Sequence, residues 1–89
     1  MKSIMQDSKE CYLCGRSDSL ECHHAIHGTA NRKLADQDGL TVWLCVECHT
    51  NLHQRGWQDN ELKRMAQTVW ERTYGTREEF IKRYGKSYK

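Results

Sequence analysis

Residues 41–53 read TVWLCVECHTNLH, and the fold turns on how this stretch is taken. Thr41–Leu44 is β-branched and aromatic, which suits a buried strand. Cys45-Val46-Glu47-Cys48 is a Cys-x-x-Cys pair, and His49 follows it directly. A helix starting at the pair would put His49 and His53, four residues apart, on one face. Upstream lies a second pair, Cys11 and Cys14 in CYLCG, and then Leu20–His24 (LECHH), the expected partner strand. Thiolates in two tight pairs suit a closed four-sulfur site for a structural Zn2+. Imidazoles left beside them suit a second divalent ion with open positions.

Length and composition fit that reading. With 89 residues, 37% hydrophobic and 29% charged, there is room for one thin core, and chains of this size often need a staple. The alternative staple, disulfides, fits poorly: five cysteines are an odd count, and they come as Cys-x-x-Cys. Met1–Glu10 (MKSIMQDSKE) lacks the apolar run of a secretory leader. The expectation is a reduced, cytoplasmic protein, with no stretch apolar enough to span a membrane. Net charge is only +2, but Ile81–Lys89 (IKRYGKSYK) has no acid. Such a tail suits phosphate contacts as well as it suits a solvated helix end.

The expected organisation is a flexible arm over residues 1–10, a metal-bearing core over 11–58 and a helical extension of the same domain over 59–89. Ala25–Gly39 reads as a long polar loop, of the kind that is usually functional. Leu62, Met65, Ala66, Val69, Trp70 and Thr73 keep a helical rhythm. Thr76-Arg77-Glu78-Glu79 is a capping box ahead of a last helix ended by Gly85. Cys22 is expected as a buried apolar strand residue, and His27 as solvated or packed in a loop.

Successive strand residues point to opposite faces, so His23 and His24 are expected to do different work. One would bind the metal and the other would activate water, for which a neutral imidazole is suited. Three imidazoles favour Zn2+, Ni2+ or Mn2+ over Mg2+, which prefers oxygen.

The segments CYLCG, LECHHAIHG and GLTVWLCVECHTNLH resemble the HNH endonuclease family. The resemblance covers about Cys11–His53. It implies an α+β fold, the small ββα-metal core, here stapled by Cys11, Cys14, Cys45 and Cys48 and followed by two helices. It implies metal-dependent hydrolysis of phosphodiester bonds in double-stranded DNA, leaving 5′-phosphate and 3′-hydroxyl ends. His23, His49 and His53 would hold the catalytic divalent metal, with His24 as general base. Small HNH proteins of phages and prophages are also similar, down to Tyr84-Gly85-Lys86-Ser87-Tyr88, which implies a phage-type origin and packaging or recombination partners. A homodimer would ease two breaks in one duplex.

One departure stands out. The family's middle Asn, which pins the loop and the general base, is replaced by Asp38-Gly39-Leu40. Either Asn31 or a backbone group near Gly39 takes that role. Arg32, with Lys33 and Arg55 nearby, is the candidate clamp on the phosphate. The competing function is a non-catalytic zinc-ribbon module that binds nucleic acid or protein. It needs the cysteines and leaves the histidines without a purpose.

Overall fold

The computed structural model of the chain describes residues 2–89. Strand β1 (Leu20–His24) pairs antiparallel with β2 (Thr41–Cys45), with His23 opposite Val42 and His24 opposite Thr41. Helix α2 (Val46–Arg55) leaves β2 without a loop. Cys45 is both the last strand residue and the N-cap, its sulfur accepting from the Cys48 N–H at 3.5 Å. The knuckle thereby sets the angle of α2 to the sheet, and with it the position of His49 and His53 over β1.

Residues 25–39 are not a loop. They hold helix α1 (Thr29–Asp38). Its inner stripe is Asn31, Leu34, Ala35 and Asp38, of which only Ala35 is fully buried. Half of that stripe is polar, so no apolar rhythm marks it, although Ala, Arg, Lys and Leu are good helix formers. Gly39 ends α1 at φ 77°, and a Cβ there would sit 3.1 Å from Lys2 O and 3.2 Å from Ile4 N. Both the backbone angle and the close approach require glycine.

That approach comes from the amino-terminal residues, which were expected as a flexible arm. Of these, Ile4 and Gln6 bond along the outer edge of β2, while Met1 lies outside the described residues. The Ile4 N–H donates to Gly39 O at 2.9 Å, and the Trp43 N–H donates to Gln6 Oε1 at 2.8 Å. The Tyr12 N–H continues the edge onto Trp43 O at 2.8 Å. Covering a strand edge in this way removes a template for unwanted pairing.

Helices α3 (Asp59–Thr73) and α4 (Arg77–Tyr84) close the second half of the core. Ala66, Trp70, Phe80 and Tyr84 pack with Ala25, Ile26, Ala35 and Leu40. Met65, expected inside, is 43% exposed, while Gln67 is fully buried. Gln67 accepts from the Tyr88 N–H at 2.7 Å and donates to Ser87 Oγ at 3.0 Å, which ties down the carboxyl-terminal tail. The Thr76–Glu79 capping box forms in both directions.

Asp38 joins the three helices. Its carboxylate accepts from Trp70 Nε1 at 2.9 Å, from Tyr84 OH at 2.7 Å and from Arg83 Nε and Nη2 at 2.7 and 2.8 Å. Burial opposes the charge, but Arg83, Tyr84 and Trp70 outweigh it and hold the carboxyl below its ordinary value. Among the described residues no helix is long and apolar enough to cross a membrane.

Candidate metal centres

The two cysteine pairs meet. Cys11, Cys14, Cys45 and Cys48 place their sulfurs within 4.8 Å of one another, with Cys14 Sγ 3.7 Å from Cys45 Sγ. A tetrahedron with bonds of about 2.3 Å has an edge of about 3.8 Å, the geometry of a closed zinc site. The first knuckle turns at Gly15, φ 82°, whose N–H returns to Cys11 O at 2.8 Å. Burial works against a Cys11 thiolate, yet backbone N–H groups of Cys45, Cys14 and Leu13 bring its pKa down to about 6. Burial and the neighbouring sulfurs push Cys48 far up. Four crowded sulfurs cannot all be charged by themselves, and a divalent cation resolves the conflict. These cysteines are close enough to hold a structural metal such as zinc.

The second group is His23, His49 and His53, again with ligand nitrogens within 4.8 Å of one another. His23 Nδ1 lies 3.3 Å and His53 Nε2 lies 3.0 Å from His49 Nε2. Tetrahedral bonds of about 2.0–2.1 Å would set such nitrogens about 3.3 Å apart. The tautomer of His49 follows from its other side, where Nδ1–H donates to Glu21 Oε1 at 2.8 Å. A carboxylate only accepts, so His49 Nε2 carries a lone pair. Two rings cannot both donate well into that one lone pair, whereas a cation at the common point serves all three.

His23 is 2% exposed, and its Nε2 has no partner among the described residues. An unmatched buried polar group costs about 1–3 kcal/mol, so this imidazole is held where it is at the expense of stability. Burial, then the neighbouring His49 and His53, pushes its pKa down to about 3. Burial and His49 likewise lower His53. Neutral rings are the form that ligates metal.

All five histidines of the chain line one cleft of about 510 Å³. The strand sends His23 and His24 to different neighbours, as expected: His23 joins the cluster, and His24 Nε2 meets Asp36 Oδ1 of α1 at 3.2 Å. Arg32 is exposed on α1 and lines the same cleft. Asn31 is engaged with α4. Its Nδ2 donates to Tyr84 O at 3.1 Å, which fastens α1 to α4, so Asn31 is a scaffold residue here. His27 is packed in the connection before α1: its Nε2 contacts Asp59 Oδ1 at 2.9 Å, and its ring centroid is 6.0 Å from those of His23 and His53. Cys22, expected inside, is exposed at the cleft edge.

Three carboxylates thus back three imidazoles from three elements: Glu21 behind His49, Asp36 behind His24 and Asp59 behind His27. None is expected from the sequence as the partner of a histidine. Glu21 was within reach of a pattern argument, since it stands two residues before His23 and shares its strand face. Asp36 and Asp59 become visible only once α1 and α3 are in place. Comparison with family models, with curated proteins and with solved structures finds no match.

Proposed function

We propose that this chain is a metal-dependent DNA endonuclease or nickase of the HNH, ββα-metal type. The observation that carries the reading is the convergence of His23, His49 and His53 in a cleft that His24 also lines. The element order supports it: strand, connection, strand and helix, with one ligand from the first strand and two from the helix.

In this reading His23, His49 and His53 hold a divalent ion. Such an ion, when bound, supplies positive charge to a phosphodiester and its leaving oxygen. His24 accepts the proton of the attacking water. Arg32 projects from α1 at the cleft, where a guanidinium fits a non-bridging phosphate oxygen. The tail contributes less than its charge suggests, because Arg83 is engaged with Asp38. Double-stranded DNA bound chiefly through phosphates, a cytoplasmic setting in a bacterial host and phage-type partners follow from the resemblance and belong to the same proposal.

The test is plasmid cleavage across Zn2+, Ni2+, Mn2+ and Mg2+, with elemental analysis of the purified chain. Expected are two bound metals and nicked or linear product with at least one ion. His24→Ala should keep folding, metal content and DNA affinity, and lose about 100-fold or more in cleavage, the usual scale of general-base catalysis. A wild-type chain that binds DNA and cuts nothing with any of these ions would instead favour the zinc-ribbon binding module.

A further inference from the structure

Asn31 is committed to Tyr84, so the general base of the proposed nuclease needs another partner. The contact it does have is with Asp36, at 3.2 Å from Nε2. We infer that Asp36 is the positioning residue of His24, fixing both the tautomer and the direction of its ring. This rests on the endonuclease reading above.

An ionised carboxylate can only accept a hydrogen bond. The contact therefore places the proton on His24 Nε2 and leaves the lone pair on Nδ1. His24 lines two adjoining hollows: the cleft with the other histidines, and a second one with Thr29, Arg32, Lys33 and Asp36. The ring is a partition between them. Nε2 is occupied by Asp36, so Nδ1 is the nitrogen left to take a proton. The His24 side chain is 16% exposed, which leaves it little room to turn.

The Asp36 carboxylate is 71% exposed, but its backbone is well anchored. It sits on α1, and α1 is fixed at Asn31 by Tyr84 and at Asp38 by Trp70, Arg83 and Tyr84. A helix holds a carboxylate more exactly in place than a loop does. The carboxylate also stabilises the imidazolium that forms when His24 takes a proton, as the buried acid does in hydrolytic triads.

The test compares Asp36→Ala with Asp36→Asn in the full chain. Both remove one negative charge beside the DNA, so they change affinity alike; Asn can still pair with Nε2, but its amide accepts or donates and so does not impose the Nε2–H tautomer. Asp36→Ala should lose about 10–100-fold in single-turnover plasmid cleavage, the scale for supporting hydrogen bonds. Asp36→Asn should not restore the rate, since its amide can hold the other tautomer and carries no charge, with unchanged melting temperature and metal content in both. Nitrogen NMR of His24 at about pH 8, where an ordinary imidazole is neutral, should show Nε2 protonated in the wild type and a tautomer mixture in Asp36→Ala. Equal rates for the wild type and Asp36→Ala, or a wild-type rate in Asp36→Asn, would overturn the assignment. Should the wild type cut no nucleic acid at all, the endonuclease reading falls, and the NMR decides the Asp36–His24 pairing by itself: protonated Nε2 that is lost in Asp36→Ala upholds it, and any other pattern refutes it.

Discussion

His49 shows how one carboxylate can decide a ligand. Glu21 takes Nδ1–H, and Nε2 is left facing His23 and His53. Removing that acceptor frees the ring to flip and lowers the basicity of the ligating nitrogen. Glu21→Ala should therefore weaken the imidazole site about 10–100-fold for a divalent ion, the range for such outer partners. The cysteine site shares no atom with Glu21 and should keep its metal. Competition titration with a chromogenic chelator separates the two, and a variant with undiminished affinity at the weaker site would remove Glu21 from the design. Glu21 is half exposed, so the fold should hardly register its loss. The clustering of the candidate histidine and cysteine ligands was legible because metal chemistry allows few side chains at few spacings. Their carboxylate partners were not, because acids at a surface are common and only geometry sets these three apart.

Helix α1 is where the sequence was least transparent. Its polar stripe hides it from any reading by hydrophobic rhythm. What holds it is hydrogen bonding, above all at Asp38, whose side chain is 12% exposed against 33% for Arg83. Removing one partner of a buried pair costs about 3–5 kcal/mol, and the exposure of Arg83 argues for the lower end of that range. Asp38→Asn should cost about 3 kcal/mol in urea unfolding. The pH dependence has a definite sign: a carboxyl with a lowered folded pKa stabilises fully above its unfolded value, about 3.8, and loses that contribution as pH falls through the still lower folded value. The wild-type advantage over Asp38→Asn should thus be constant near neutrality and shrink below about pH 4. An advantage unchanged at low pH would mean that the carboxylate charge is not what joins α1 to α3 and α4. By contrast, β1, α2 and α4 were readable, since β-branched residues, a knuckle and a capping box each act within a few neighbours. The role of Asn31 stays open in the sequence for the opposite reason: its partner, Tyr84, lies 53 positions away.

Across the whole molecule the two centres stand in different relation to stability. Cys11, Cys45 and Cys48 are part of the packed cluster of Val42, Leu44, Leu52 and Leu62, so the sulfur site is also a piece of core. The imidazole site lines an open cleft, and only His23 of its three rings is buried. Structural zinc sites supply about 10–16 kcal/mol of coupled binding and folding, while a domain of this kind has only about 5–15 kcal/mol in total. Stripping metal in two stages should therefore give two distinct results. On the proposed reading, mild chelation should take the ion from His23, His49 and His53, end the proposed DNA cleavage and leave the circular dichroism spectrum and cooperative melting in place. Strong chelation, or Cys48→Ser, abolishes cooperative melting altogether. His49→Ala should behave as the mild treatment does, with one metal per chain and a normal melting curve. If His49→Ala unfolds the chain, or if strong chelation leaves it folded, then sulfur and imidazole do not divide the work between scaffold and chemistry.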